Sequence, residues 1–564
     1  MKHIASNPLL RTVSQNGTHL GVFPANGTDE QRHGVVLIVV LVLVVMMALA
    51  GFAFMNRMAT EYEATLINGD LRQAQQTLSS AETYLIHLAK EYAGASELDH
   101  PFTDDPELFS AQIVEPASSD FSDVSQTTTP RSRRWRFSVV NSLSEVSAEH
   151  RGQENEFQDI VPQPLMQFGL NNESGKLHLG RVMLWESEDP GTGRETLLQI
   201  PGMTQEAADS ILDWIDADDE PREFGAEQEH YSQLDRPIEP RNGLPESHAE
   251  LLFVKGVTRD AFHGNGPTSE WTSTSSKAWT DLLTIHSAEP NTDRFGNRRF
   301  NLNEVDPAVY ADESTVPKTS LTFLPQELAA FILLARRHGI AFPPEDVNGS
   351  TILPSPAPAA ARLKQHEIQH RSGEDLSHGE SLDLEQIVSL ADLIESSVQL
   401  PVVDGGDLVE SPLQTDSTDF LETMKLLEER VTVDSDDTLI GRININTAPI
   451  PVLQALIGDA GVATQIVQQR RVVDRSQKAT TAWLLTQQVM DLPTYRRIYP
   501  HITTRGAVHS GEIVVYRQFG GPFLRRKLII DASSSPARRV DWTDLTQHGL
   551  PVRISDLQYW SAEW

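Results

Sequence analysis

The pattern of apolar and polar positions changes character once, early in the chain. Residues 35–54 read VVLIVVLVLVVMMALAGFAF, 20 residues without a charge. As a helix this stretch is about 30 Å long, the thickness of a bilayer's hydrocarbon core. Lipid solvates such side chains, and a helix satisfies its own backbone. Past it, Ile67, Leu71, Ala74, Leu78, Ala81, Leu85, Leu88 and Tyr92 recur at spacings of four and three, one apolar stripe on a helix. The unbroken patterning predicts a single helix from Val35 to about Tyr92, its first half suited to lipid and its second to a folded domain.

Beyond this helix the pattern breaks into shorter elements. Residues 94–132 are polar and acidic and read as a loop. Residues 135–140 (WRFSVV), 177–184, 512–517 (EIVVYR) and 524–531 (LRRKLIID) read as strands. Residues 195–252 are helical with sharp turns. Residues 351–381 read as a linker or insertion, and a helix is expected near residues 420–429 in an acidic stretch. The domains expected are a leader over 1–34, an anchor helix over 35–95, and the first part of a sheet domain over 96–185. An inserted helical domain covers 186–310, insertions and linkers 311–437, and a second hairpin with the terminal strands 438–564.

Leu198-Gln199-Ile200-Pro201-Gly202-Met203-Thr204 has the form of a helix-hairpin-helix, with Pro-Gly at the turn and Thr204 able to cap the next helix. Phe253-Val254-Lys255-Gly256-Val257-Thr258 is a shorter version. A third pattern covers residues 443–449 (ININTAP), where Asn446 or Thr447 can cap and Pro449 suits a first turn. Phe300-Asn301-Leu302-Asn303 echoes it. Such hairpins can bind nucleic acid, which makes an exported DNA-binding or DNA-uptake protein an alternative function.

Charge argues against that alternative. Lys plus Arg is 46 and Asp plus Glu is 79, a formal net charge of −33. Such a surface repels nucleic acid and is compatible with divalent cations. The first hairpin is itself followed by Asp213, Asp216, Asp218, Asp219 and Glu220. Oxygen-only side chains at short spacing suit a hard cation such as Ca²⁺. Asp216, Asp218 and Glu227 fall at positions 1, 3 and 12 of an EF-hand count. Pro221 stands where that loop needs glycine, so an EF-hand is excluded, which leaves a Ca²⁺ loop of other geometry or a solvated acidic loop. The chain has no cysteine, which excludes disulfides and thiolate sites. His366-Glu367-Ile368-Gln369-His370 matches the pattern of a zinc hydrolase, with Glu367 as base. It follows a Pro/Ala run and precedes Ser372-Gly373, a poor setting for a catalytic helix, and no other catalytic motif is present.

Lys2, Arg11 and Arg32 precede the apolar span, which favours the N-terminus inside and the bulk of the chain outside the cytoplasm. Ala48-Leu49-Ala50 before Gly51 resembles a secretory cleavage site. The long leader before it carries Asp29 and Glu30, unlike a signal peptide.

In this order the motifs resemble the K-class minor pseudopilins of type II secretion systems (general secretion pathway protein K). Arg32-His33-Gly34 before Val35 looks like a prepilin cleavage junction. The likeness continues through residues 172–177, the Ile200-Pro201-Gly202 turn, residues 213–218, Gly225-Ala226-Glu227 with Tyr231, Arg241-Asn242-Gly243, Lys255-Gly256-Val257, residues 443–449 and the terminal strands. The resemblance implies an α+β pilin-like fold: a long N-terminal helix on an antiparallel sheet, with a large inserted helical domain containing helix-hairpin-helix-like motifs. It implies cleavage between Gly34 and Val35, with methylation of Val35, and no catalysis. It extends to calcium sites in the insert, with Asp216, Asp218 and Glu227 as candidate ligands. Most pilins carry Glu at mature position five; here it is Val39, as the K class also lacks it. The implied location is the inner membrane, single-pass, with the C-terminal domain in the periplasm. The implied partners are other minor pseudopilins and the major pseudopilin, prepilin peptidase, the inner-membrane secretion platform and secreted cargo, and no nucleic acid. The implied role is at the pseudopilus tip, initiating assembly.

Overall fold

The protein is described from a computed structural model, covering residues 32–93, 102, 104–114, 134–142, 166–264, 278–304, 321–342, 384–400, 408–518 and 520–557. The expected anchor helix is one element, α1, Arg32–Glu91. Its chain falls into two units, residues 1–71 and residues 72–564. In the first, every residue from Val36 to Asn68 is exposed, Leu37 at 73% and Met47 at 67%. This stretch is long and apolar enough to cross a membrane and fits a single anchor. Ile67 and Leu71 belong to the predicted stripe yet are exposed; burial begins at Ala74.

In the second unit, Ala74, Leu78, Ala81, Leu85, Leu88 and Ala89 of α1 are buried against an antiparallel sheet. Its strands are β1 (Gln112–Ile113), β2 (Trp135–Ser142), β3 (Met166–Phe168), β4 (Asn171–Asn172), β5 (Val508–Arg517), β6 (Leu524–Asp531) and β7 (Arg538–Asp544). The order is β1-β2-β5-β6-β7, with β3 beside β2 and β4 beside β5. The register sets two faces. Phe137, Val139, Ile513, Val515, Leu528 and Ile530 share the face that meets α1. Three polar contacts reinforce that packing: Trp135 Nε1 donates to Gln73 Oε1 (3.1 Å), and Glu82 accepts from Arg526 (2.6 Å) and Arg539 (2.7 Å). On the opposite face, Ser138 and Tyr516 donate to the carbonyl of Leu557, at 2.8 and 3.0 Å.

Two local expectations are corrected. Residues 177–184 are not a strand: only Leu177–His178 pairs, and α2 (Leu179–Glu188) follows. Leu179, Val182, Trp185 and Glu186 are buried along one helical face, and His178 Nδ1 accepts from the Arg181 amide (3.2 Å) to cap it. The alternation read in sequence was the start of this helical period. Residues 94–132 are not all loop. Pro106–Phe109 forms one helical turn, capped by Asp105 through the amides of Glu107 and Leu108, and Gln112–Ile113 is β1.

Between β4 and β5 the chain builds a separate core of helices and short bridges. Among the described residues three parallel two-residue bridges recur in it: Leu177–His178 with Leu283–Thr284, Phe300–Asn301 with Val431–Thr432, and Ile443–Asn444 with Ile502–Thr503. Asn301 and Asn444 each accept from an amide two residues on. Thr284, Thr432 and Thr503 do the same through Oγ1. The echo between residues 300–303 and 443–446 is thus a repeated turn. The capping expected there differs, however: neither Asn446 nor Thr447 caps α6 (Ile450–Ile457). Pro449 holds the cap position and Pro451 lies in the first turn.

Candidate functional site

The first hairpin joins α3 (Thr192–Leu198) to α4 (Gln205–Ile215). Gly202 has φ +77°, and Thr204 Oγ1 accepts from the Ala207 amide at 3.1 Å, capping α4 as expected. The second hairpin ends in α5 (Arg259–His263), capped by Thr258. Gly256 has φ +80°, and a Cβ there would lie 2.9 Å from the Ala207 nitrogen. This turn therefore seats directly on the start of α4, a packing role.

Helix α4 buries Ala207, Ala208, Ile211, Leu212, Trp214 and Ile215 in the core of the inserted region. Its other face carries Asp209, Asp213 and, at the C-cap, Asp216, spaced by four and three so that they line one side. Asp209 Oδ2 accepts from the Phe224 amide (3.2 Å) and Oδ1 pairs with Arg194 (2.9 Å), folding the loop after α4 back along the helix. That return brings Glu227 to Asp213 and Asp216, and one oxygen of each lies within 4.8 Å of the others. Gly225 makes the approach possible, since a Cβ there would stand 1.8 Å from Asp213 Oδ2. Lys255 Nζ donates to the carbonyls of Phe224 and Gly225, both at 3.2 Å, and locks the loop from the second hairpin. Trp214 stacks edge-on against Tyr231 and donates to Glu250, as a core residue would.

The sequence expectation was Asp216, Asp218 and Glu227. The structure brings Asp216 and Glu227 together with Asp213, while Asp218 stands outside this trio and accepts from the Glu220 amide (2.9 Å). Asp213 was missed as a ligand because its neighbours read as a helix end. Its i, i+4 relation to Asp209 is the signal that would have found it.

Arg222 reaches into the trio, with Nη1 2.6 Å from Asp213 and 2.5 Å from Asp216. It does not reach Glu227, whose two oxygens are buried without a hydrogen-bond partner. Burial first, then the charges of Asp213 and Asp216, push the Glu227 carboxyl up to about 7. Burial also raises Asp213 and Asp216, against the pull of Arg222. A buried, unpaired carboxylate beside two others is a donor set short of positive charge, and it fits a hard divalent cation. Asp213, Asp216 and Glu227 would hold Ca²⁺ there, supplying structural cross-linking of α4 to its return loop.

The other expected sites lie at or beyond the edges of the described residues. The Gly34–Val35 junction falls in the first turn of the α1 backbone. His366, Glu367 and His370 lie outside the described residues.

The described residues thus form a mixed α and β protein, with a long N-terminal helix whose apolar stretch fits a single membrane anchor. Two family models match the chain, both described as type II secretion system (T2SS), protein K, over residues 192–265 and 443–478. These two segments are thus similar to the family that the sequence resembles. The first matched segment contains both hairpins and the acidic trio, and the second contains the Ile443–Asn444 bridge and α6. No curated protein matches the chain. Among solved structures, the GspK-GspI-GspJ complex from the enterotoxigenic Escherichia coli type 2 secretion system aligns at 9% identity and TM-score 0.35, covering 85% of this chain and 98% of that chain.

Proposed function

We propose that this chain acts at the tip of a type II secretion pseudopilus, where it joins other minor pseudopilins and initiates assembly of the filament for protein export. One observation carries the position. From Arg32 to Thr60 the helix α1 contains no acidic residue. After cleavage at Gly34, Val39 would stand where other pilins place a glutamate. A subunit with that glutamate can neutralise the N-terminal amine of its neighbour. A subunit with valine leaves the amine uncompensated in an apolar bundle, at a cost of several kcal/mol. The place that avoids this cost is the end of the filament.

The inserted helical core supports the same reading, because an insertion of this size between β4 and β5 would block stacking of a further subunit above. Ca²⁺ at Asp213, Asp216 and Glu227 holds this core in shape in a chain without disulfides. Catalysis has no part in the role.

The test is made in the native cell with the full-length protein. Membranes are solubilised after brief cross-linking, and the chain is recovered by a C-terminal tag. The expected result is recovery of other minor pseudopilins at a stoichiometry near one to one, with the major pseudopilin in excess, and loss of protein export when the chain is deleted. Unimpaired export from the deletion strain, with no pseudopilin recovered, overturns the proposal.

A further inference from the structure

The sheet face turned away from α1 carries a second cluster of unlike chemistry. Ser510, Ile529 and Asp541 lie on this face by register, since Ser510 pairs with Ile529 and Ile529 with Asp541. His248 comes to it from the 3-10 turn His248–Phe253, and His286 from just beyond Leu283–Thr284. One ligand atom from each of His248, His286 and Asp541 lies within 4.8 Å of the other two. The imidazole rings stand 5.5 Å apart, tilted at 57°.

We propose that His248, His286 and Asp541 form a site for a divalent transition-metal ion, with zinc the best fit. Two imidazole nitrogens and one carboxylate oxygen are a donor set that zinc takes readily, with water in the fourth position. The oxygen-only trio on α4 suits a hard cation instead, so the two centres select different metals.

The surroundings support this assignment. The Nε2 atoms of His248 and His286 are both buried without a hydrogen-bond partner. A polar atom left so is costly, by about 1–3 kcal/mol, and a metal removes that cost. An imidazole must be neutral to ligate. Burial holds His248 down to about 3, and holds His286 below its ordinary range as well.

The charged groups facing the rings are Glu173, Lys176, Lys527, Asp531 and Asp541. Glu173 does not compete as a ligand, because its oxygens already accept from Lys176 (2.7 Å), Ser510 (2.6 Å) and Thr284 (2.6 Å). All three proposed ligands are half-buried, so an ion has access from solvent. An ion there joins β7 to two separate turns of the inserted region, staples that no covalent link supplies in a chain without cysteine.

The experiment uses the full chain purified in detergent, stripped with a chelator and given Ca²⁺ in excess so that the oxygen centre is occupied. Co²⁺ is then titrated as a spectroscopic stand-in for zinc. The expected result is the visible absorption of tetrahedral Co²⁺, saturating at about one ion per chain and bleached by added Zn²⁺. Zn²⁺ alone should also raise the melting temperature. In His286→Ala and Asp541→Asn, the absorption and the zinc-dependent melting shift should both be lost while a single cooperative melting transition remains. Absence of tetrahedral absorption in the wild-type protein overturns the site. So does absorption that persists undiminished in either variant; the wild-type titration decides by itself if a variant fails to fold.

Discussion

From residue 36 to residue 54, α1 presents valine, leucine, isoleucine and methionine on every side, all of them exposed. From residue 74 to residue 89 the same helix buries one narrow stripe and keeps polar residues elsewhere. The first half needs a surrounding that is apolar in all directions, as lipid or a bundle of like helices provides. The second half needs one partner surface, which the sheet supplies through Phe137, Val139, Ile513, Val515, Leu528 and Ile530. A change in solvent, and not a break in the backbone, divides the element.

Truncation separates the halves most strongly. Leu85 is fully buried between α1 and the sheet, so Leu85→Ala should cost about 2–5 kcal/mol of stability. Leu43 is 55% exposed in the apolar half, and Leu43→Ala should leave the melting of the folded domain unchanged. Thermal or denaturant melts of both variants in detergent decide the matter, and equal losses would show that the halves do not differ in this way.

A smaller effect is expected at Glu82, which bridges the sheet-facing half to two arginines of β6 and β7. Glu82→Gln removes the charge from both contacts and should cost about 1–3 kcal/mol. Arg526 and Arg539 also lie over the Trp542 ring at 4.5 and 5.5 Å, so they keep a partner, which holds the loss below that of Leu85→Ala. A melt showing no loss would place the helix–sheet attachment in the apolar stripe alone.

The smallest effect is a few degrees of melting temperature at the α4 centre. The folded state raises Glu227 from 4.5 to about 7, so without a cation it favours the protonated form. Stability of the chelated protein should therefore fall as pH rises from about 4.5 to about 7. Calcium pairs the ionised carboxylate, so its stabilising effect should grow across the same window, with a proton released on binding near neutral pH. Glu227→Gln should flatten both trends. A calcium effect independent of pH between 5 and 8 would remove Glu227 from the centre.

Legibility in the sequence followed the range of the interactions. The apolar run and the stripe after it identify α1, because both depend on local period alone. The two Gly-containing turns and the Thr204 cap were equally plain, since φ above zero and a capping hydroxyl are local demands. At residues 177–184 local alternation misled, because the packing around Trp185 selected a helix that the short pattern did not. Asp218 looked as good a ligand as Asp216 by spacing. Only the return of the loop through Phe224 and Gly225 brings Asp213 into the centre, and that is a tertiary fact. His248, His286 and Asp541 are separated by 38 and 255 residues along the chain, and no spacing rule could have joined them.

The proposed role requires that α1 start the mature chain and that its apolar half serve as a membrane and filament helix. The most direct measurement is the N-terminus of the protein recovered from membranes, read by mass spectrometry. Cleavage between Gly34 and Val35, with a methyl group on the new amine, is the result predicted, and Gly34→Ala should abolish it. A mature chain that begins at Gly51, and so lacks the apolar half of α1, would contradict it.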